Sequence, residues 1–398
     1  MKNPEVAVSV VRTKGNDYPL IKEAVDEALS LIGGISDIIR PGYKVLVKPN
    51  LVATPTERLS GGVTRWEVCK AICEAVTEAG GKPFIAESSA IGVDTEDVIF
   101  VCEYSKLREE GIPVIDLKSG GQQPAKLKVE NPALVSELDT WQIVADADAI
   151  ITVPVMKTHD QTEVTLGMKN CKGLISDTNK KNFHFLGVVD GVTDIISALK
   201  PVLTVIDGTF GQQGLGPIFG ETIEMGLIVA SKDVVACDAV ASLIMGYEVD
   251  DVKITVAAAS RGLGEKDMDR IDVKGEKIDD VRVRFKRSSE VAIEGVPPSF
   301  NLVWSDKACT GCRNTVISVL MDMKKENLLG LLDGQYALVG HHAESEIPIG
   351  ASPENTVLVG RCAASLGAAG YGRCVIGCPP GNSDTIKGLI GESAGKER

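Results

Sequence analysis

Three consecutive runs decide the fold: KVLVKPN at 44–50, TRWEVCKAICEAVTEAGG at 64–81 and KPFIAES at 82–88. A short apolar run that ends in polar residues reads as a strand. The middle run reads as a helix capped by Thr64 that continues through Ala79 and stops at Gly80 and Gly81, and PFIAES reads as the next strand. A strand, a helix and a second strand in immediate succession form a βαβ unit, which places the two strands parallel in one sheet.

The same alternation extends outward to about residue 270. Val6–Val11 is predicted as a first strand, and Leu20–Ile32 as a helix closed by Gly33 and Gly34. IPVID, DAIITVPVM, LTVIDG and MGLIVAS are further strands, most of them apolar on both faces, as buried parallel strands are. Helices are expected at 133–146, 188–199 and 234–245. The charged stretch MDRIDVKGEKIDDVRVRFKR reads as an edge hairpin or linker. The expectation is an α/β domain over 1–296, with a largely parallel sheet flanked by helices. A smaller cysteine-rich module follows over 297–398, with one helix near 316–325 and much glycine-rich loop.

Composition narrows the function classes. A net charge of −13 opposes extended contact with phosphate backbones, and 4% aromatic residues supply few stacking platforms, so nucleic acid is excluded as a partner. The sequence lacks an 18-residue apolar run and a signal-like amino terminus, so it reads as cytoplasmic with no membrane partner. In a reducing compartment, ten cysteines argue for metal, redox chemistry or burial rather than disulfides.

Parallel α/β folds bind ligands beyond the carboxyl ends of their strands. Lys48 and Asn50, Glu87 and Ser88, and Asp207 stand at such ends. After the strand near Val155, VPVMKTHDQTEVTLGMKNCKGL gathers Lys157, His159, Thr162, Thr165, Lys169, Asn170 and Lys172 in a short stretch punctuated by Gly167 and Gly173. Lysines and hydroxyls beside glycine suit a small anionic substrate or cofactor. His159 suits proton transfer near neutral pH. His159, Lys157 and Lys169 are therefore candidate catalytic residues, and Lys48, Asn50, Asn170 and Asp207 candidate binding residues. GTFGQQGLGPIFGE is expected as a loop over this pocket. Cys69, Cys73, Cys102, Cys171 and Cys237 read as core.

The last quarter of the chain holds CTGC (Cys309, Cys312), VGRC (Cys362) and CVIGCPP (Cys374, Cys378). A CxxC turn lets two thiolates reach one ion or cluster, and the Cys378-Pro379 order also closes bacterial ferredoxin motifs. A 4Fe-4S cluster fits this spacing better than zinc, which usually takes two close doublets. Cys309, Cys312 and Cys378 are the expected ligands, and the fourth position is open between Cys362, Cys374 and a substrate. His341 and His342 read as loop polarity.

KPN at 48–50, VPVMKTH at 153–159, TLGMKNCKGL at 165–174, DGTFGQQGLGP at 207–217 and SKDVVACDAVASLIMG at 231–246 together resemble the domain of unknown function 362 family over roughly residues 40 to 250. Many proteins similar to this family carry iron-sulfur motifs near the carboxyl terminus, which implies a cluster at Cys309–Cys378. The chain lacks two full CxxCxxCxxxCP repeats, which implies one cluster rather than two. The lysine and histidine after the central strand also resemble the nickel-pincer lactate racemase family. That likeness implies cofactor attachment or proton transfer for Lys157, His159 and Lys169.

The expected function is a cytoplasmic iron-sulfur protein, a redox enzyme or electron-transfer protein whose single 4Fe-4S cluster lies next to an anion-binding pocket, with a redox partner protein. The alternatives are a lyase or isomerase using the cluster as a Lewis acid, and a zinc-stapled binding module. The sequence leaves a homo-oligomer open.

Overall fold

The structure is a computed structural model that describes residues 6–391 apart from 160, 161, 292 and 309. The chain divides into two compact units, Met1–Glu290 and Val291–Arg398.

The first unit is built on a ten-stranded sheet. Its strands are β1 (Val6–Arg12), β2 (Lys44–Pro49), β3 (Lys82–Glu87), β4 (Val114–Asp116), β7 (Ala149–Val153), β8 (Val155–His159), β9 (Glu163–Thr165), β10 (Leu203–Gln213), β11 (Glu221–Ser231) and β12 (Ile271–Gly275). The path runs β12-β1-β11-β10-β7-β2-β3-β4, with β8 paired to β10 and β9. Only β11 and the short β9 oppose the common direction.

Both faces are covered, which is why the strands read as continuous apolar runs. Val45 and Val47 enter one core with Ile72 and Val76 of the helix Trp66–Glu78, while Leu46 enters the opposite core with Ile195 and Ile196 of the helix Val188–Leu199. No helix among the described residues is long and apolar enough to cross a membrane.

Four local expectations are corrected. Arg65, not Thr64, precedes the helix Trp66–Glu78; the Thr64 hydroxyl instead donates to Val153 O and accepts from Asn50 N. The helix expected over 133–146 is a single turn, Gln142–Ala145, after an antiparallel pair of β5 (Pro124–Lys128) and β6 (Glu137–Trp141). The buried Asp194 carboxylate takes the amides of Ala133, Leu134 and Val135 and holds that segment out of a helix. The charged stretch after Met268 supplies β12, a parallel edge strand beside β1, rather than a hairpin. The first half of the expected pocket loop at 208–221 is strand, the end of β10, and the remainder is the turn into β11.

The second unit is also α/β, where a loop-rich module was expected. β13 (Asn301–Trp304), β14 (Tyr336–Val339), β15 (Thr356–Val359) and β16 (Arg373–Val375) form a parallel sheet in sequence order. Helices Thr310–Lys325 and Asn382–Ile390 contribute Val316, Leu320, Met323 and Leu389 to one face, against Val339, Val357 and Val375. Leu338 and Leu358 pack with Leu366 on the other.

Candidate functional site

The polar residues of the first unit gather at the carboxyl ends of β2, β3, β8 and β10. Lys48, the penultimate residue of β2, meets Glu87, the last of β3, at 2.7 Å with both side chains buried. Glu87 also accepts from the amides of Leu51 (2.9 Å) and Ser88 (2.7 Å), and Lys48 donates to Pro49 O at 2.6 Å. A buried ion pair needs such additional bonds to offset its lost hydration. Gly173 lies directly against the pair, because a Cβ there would stand 2.0 Å from Glu87 Oε1.

A second layer is carried by amides. Asn170 Nδ2 donates to Lys48 O and Thr152 Oγ1, while its Oδ1 accepts from Asn50 Nδ2 at 3.1 Å. Asn50 Oδ1 in turn accepts from Lys157 Nζ at 2.9 Å, which also donates to Gly62 O and Pro217 O. Lys157 is fully buried among these neutral acceptors. Burial, then the neighbouring Lys169, holds its ammonium well below the usual lysine range. Lys48, Asn50, Lys157 and Asn170 therefore form one network that fastens the strand-end loops together.

Asp207 is also fully buried and turned inward. It accepts from the Arg65 amide and from the amide and hydroxyl of Thr209, and burial raises its carboxyl above the ordinary range.

The residues with proton-transfer chemistry form a separate group. His159 ends β8, and its Nε2 lies 3.2 Å from Lys169 Nζ. Lys172 Nζ lies 2.6 Å from His184 Nε2. Lys169 and Lys172 stand three residues apart in the helical turns Gly167–Asn170 and Cys171–Leu174. His184 comes from the helix Asp177–Leu186. Burial first, then Lys172, Lys169 and His159, keeps His184 well below the ordinary histidine range, so the four basic groups act on one another. Lys180, one turn before His184, donates to Ser88 O, Ser88 Oγ and Ser89 O; its pKa is lowered to about 8 by burial.

The turn that presents Lys169 is held from below. Asp238, buried in the helix Val234–Ile244, accepts from the amides of Gly167 (2.7 Å) and Met168 (3.0 Å). Gly167 has no room for a side chain, since a Cβ would lie 2.7 Å from Thr204 Cγ2.

His184, Lys180 and Asp238 were not among the residues singled out from sequence. The available signal was the i, i+4 spacing of Lys180 and His184 on one helix, and the fact that His184 is one of four histidines.

The cysteine loops of the second unit follow its strand ends. Cys312 is buried on the face that carries Val316 and Val359. A Cβ on Gly360 (φ +101°) would stand 2.9 Å from its Sγ, so the loop leading to Cys362 passes directly beside it. Arg361 N donates to Gly377 O at 2.8 Å, which brings the Cys362 and Cys378 loops side by side. Cys362 is half-buried and Cys378 exposed.

Cys374 alternates to the other face, since its neighbour Val375 packs with Cys312 while Cys374 packs with Leu358 and Leu366. Its sulfur lies 1.8 Å from where a Gly367 Cβ would be. Cys374 therefore stands on the opposite face of this sheet from Cys312. Cys309 lies outside the described residues.

His342, between the cysteine-bearing strand ends, is buried, and its Nε2 has no hydrogen-bond partner among the described residues. Among the described residues no group of three or more His, Cys, Asp or Glu side chains is close enough to hold a metal ion. Cys69, Cys73, Cys102, Cys171 and Cys237 are buried, and burial raises each thiol; those of Cys69, Cys102 and Cys171 are pushed up to about 12.

The fold and site define an α/β protein with a basic cluster at the carboxyl ends of a largely parallel sheet. The chain belongs to the DUF362 family, described as a domain of unknown function, whose model matches residues 45–242. It is 31% identical over 265 residues to the thylakoid-associated protein sll1697 of Synechocystis sp., spanning 65% of this chain and 79% of that protein. Among solved structures, the lactate racemase apoprotein from Thermoanaerobacterium thermosaccharolyticum aligns with 98% of this chain and 80% of its own, at 11% identity and a TM-score of 0.38.

Proposed function

We propose that this protein is an enzyme that binds a small anionic substrate at the carboxyl end of β8 and moves a proton on it. The observation that carries this reading is the convergence of His159, Lys169, Lys172 and His184 within electrostatic reach of one another. Lysine ammonium groups attract and orient a carboxylate or phosphate, and a neutral imidazole beside them is a base suited to neutral pH. Before a ligand binds, the depressed pKa of His184 keeps its ring neutral. Lys48, Glu87, Asn50, Asn170 and Lys157 serve as the framework that fixes the loops, since their polar atoms are engaged with one another, and Asp207 is engaged separately by Arg65 and Thr209.

The test is solvent deuterium incorporation, followed by proton NMR, with a panel of small carboxylates and phosphate esters. Exchange that disappears in Lys169→Met and His184→Gln supports the reading. A panel that neither exchanges nor binds overturns it.

A second reading concerns the carboxyl-terminal unit, where a metal group, 4Fe-4S or zinc, would be held by Cys312, Cys362 and Cys378 with Cys309. The adjoining loops, and the His342 Nε2 that has no hydrogen-bond partner among the described residues, favour a soft metal there, although the described side chains do not form a closed ligand shell. Such a group would supply electron transfer, in which case a redox partner protein follows, or Lewis acidity. Iron and zinc analysis of anaerobically purified protein tests it; absence of both metals overturns it.

A further inference from the structure

The contacts inside the basic cluster specify more than an attraction for anions. An ammonium group has three donors and no acceptor, so an imidazole nitrogen 2.6 Å or 3.2 Å from a lysine Nζ must present its lone pair. Lysine holds its proton far more tightly than histidine, so the shared proton stays on the lysine near neutral pH. Both rings are then neutral, with hydrogen on Nδ1 and with Nε2 covered by an ammonium group. In this state neither Nε2 is available as a base.

Lys169 and Lys172 are one helical turn apart, a spacing that puts their Cβ atoms about 5–6 Å from each other. Two ammonium groups at that spacing match a ligand with two negative charges close together better than a monoanion.

We infer that the ligand is a dianion that engages Lys169 and Lys172 together, draws their ammonium groups off His159 and His184, and thereby uncovers the imidazoles and lets them take up protons. This rests on the proposed anion site. No covalent step is involved: two N–H···N hydrogen bonds are exchanged for N–H···O bonds to the ligand, and the protons gained come from solvent. Among the described residues, Lys172, Lys169 and His159 act on His184, and Asp177, Lys180 and Lys181 stand on its own helix. His159 faces Lys169 and, across the β8–β9 ladder, Glu163. With two ligand charges beside the lysines, the repulsion that disfavours an imidazolium is removed, and protonation follows. The device keeps both imidazoles covered until a ligand of the right charge arrives, and then presents them as proton donors.

The experiment is isothermal titration calorimetry of the full chain with sulfate, which does not titrate across the neutral range, and with acetate as the monoanion. Each is run in two buffers of different ionisation enthalpy. The expected result is sulfate binding with uptake of about one proton, tightening by about tenfold per unit fall in pH through the neutral range, with acetate much weaker. His184→Gln should reduce the proton uptake while retaining sulfate binding, and Lys172→Met should weaken sulfate binding itself. Nitrogen-15 spectra of the histidines check the folded state of each variant and report the change of tautomer directly. Sulfate binding without proton uptake overturns the uncovering of the imidazoles and leaves the anion site standing. Failure of sulfate, phosphate and malonate all to bind overturns the anion site as well.

Discussion

Replacing Gly173 by alanine tests whether the buried Lys48–Glu87 pair anchors the site. The new methyl group would sit 2.0 Å from Glu87 Oε1 and 2.7 Å from Lys48 Nζ. Ordinary contact begins near 3.4 Å, so Oε1 would have to retreat by about 1.4 Å (3.4 − 2.0). That retreat breaks its 2.7 Å bond from the Ser88 amide, and Glu87 cannot simply rotate away because Oε2 is held by Lys48 and Leu51 N. Loss of one hydrogen bond to a charged group costs about 1.5–3 kcal/mol, and overpacking a close-packed site costs about 1–3 kcal/mol more. Gly173→Ala is therefore expected to destabilise the larger unit by about 2.5–6 kcal/mol. Urea denaturation in a Trp304→Phe background leaves Trp66 and Trp141, both in that unit, to report its unfolding. Adding Glu87→Ala removes the atom that clashes, so the double variant should lose less than the sum of the two single changes. A Gly173→Ala variant within about 1 kcal/mol of the parent, or strict additivity in the double, would refute the steric reasoning.

Three further outcomes are expected. Lys157→Met removes the donor shared by Asn50, Gly62 and Pro217, so amide exchange in residues 57–64 should rise at least tenfold, equivalent to about 1.4 kcal/mol; unchanged exchange would mean that Lys157 does not fasten that loop. Burial raises Asp238 from 3.8 to about 7, so its contribution to stability is complete below about pH 4 and lost as pH rises through about 7. Melting curves of the parent should fall relative to Asp238→Asn across that window, and parallel pH profiles would contradict the assignment. If the carboxyl-terminal unit holds iron, Cys362→Ser should lower the iron content while Cys374→Ser leaves it intact, and the reverse pattern would contradict the loop placement.

The parts of the fold legible in the sequence were those buried on both sides. KVLVKP and KPFIAE declare themselves because nearly every residue after the first is buried, which leaves an unbroken apolar run up to the polar residues near the strand end. β5 and β6 did not, because PAKLK and ELDTW are short, half-exposed and charged, and a distant carboxylate, Asp194, decides the backbone between them. The four strands of the second unit have three or four residues each, too few to establish a period. The inward turn of Cys374 was in principle readable, since adjacent strand residues face opposite sides and Val375 is the apolar one. At the site, clustering around the end of β8 singled out His159, Lys169 and Lys172 along the chain. The sequence could not show that Lys157 points into the protein while Lys169 meets a histidine, nor that a separate helix delivers His184. Those facts come from tertiary packing.

The order of strands in the large sheet bears on how the protein can be divided. The family-matched segment, 45–242, ends on neither side of a finished sheet: β11 lies between β10 and β1, and both β1 and its neighbour β12 fall outside those limits. A fragment cut at the family boundaries would strip β11 of one partner along nearly half its length and lay open a row of unpaired amides and carbonyls from Leu227 to Ser231. Because Leu227, Ile228, Val229 and Ala230 are apolar, that edge would invite pairing between copies. The smallest piece suited to expression therefore runs from before Val6 to beyond Gly275, and self-association of anything shorter would reflect the cut rather than the protein.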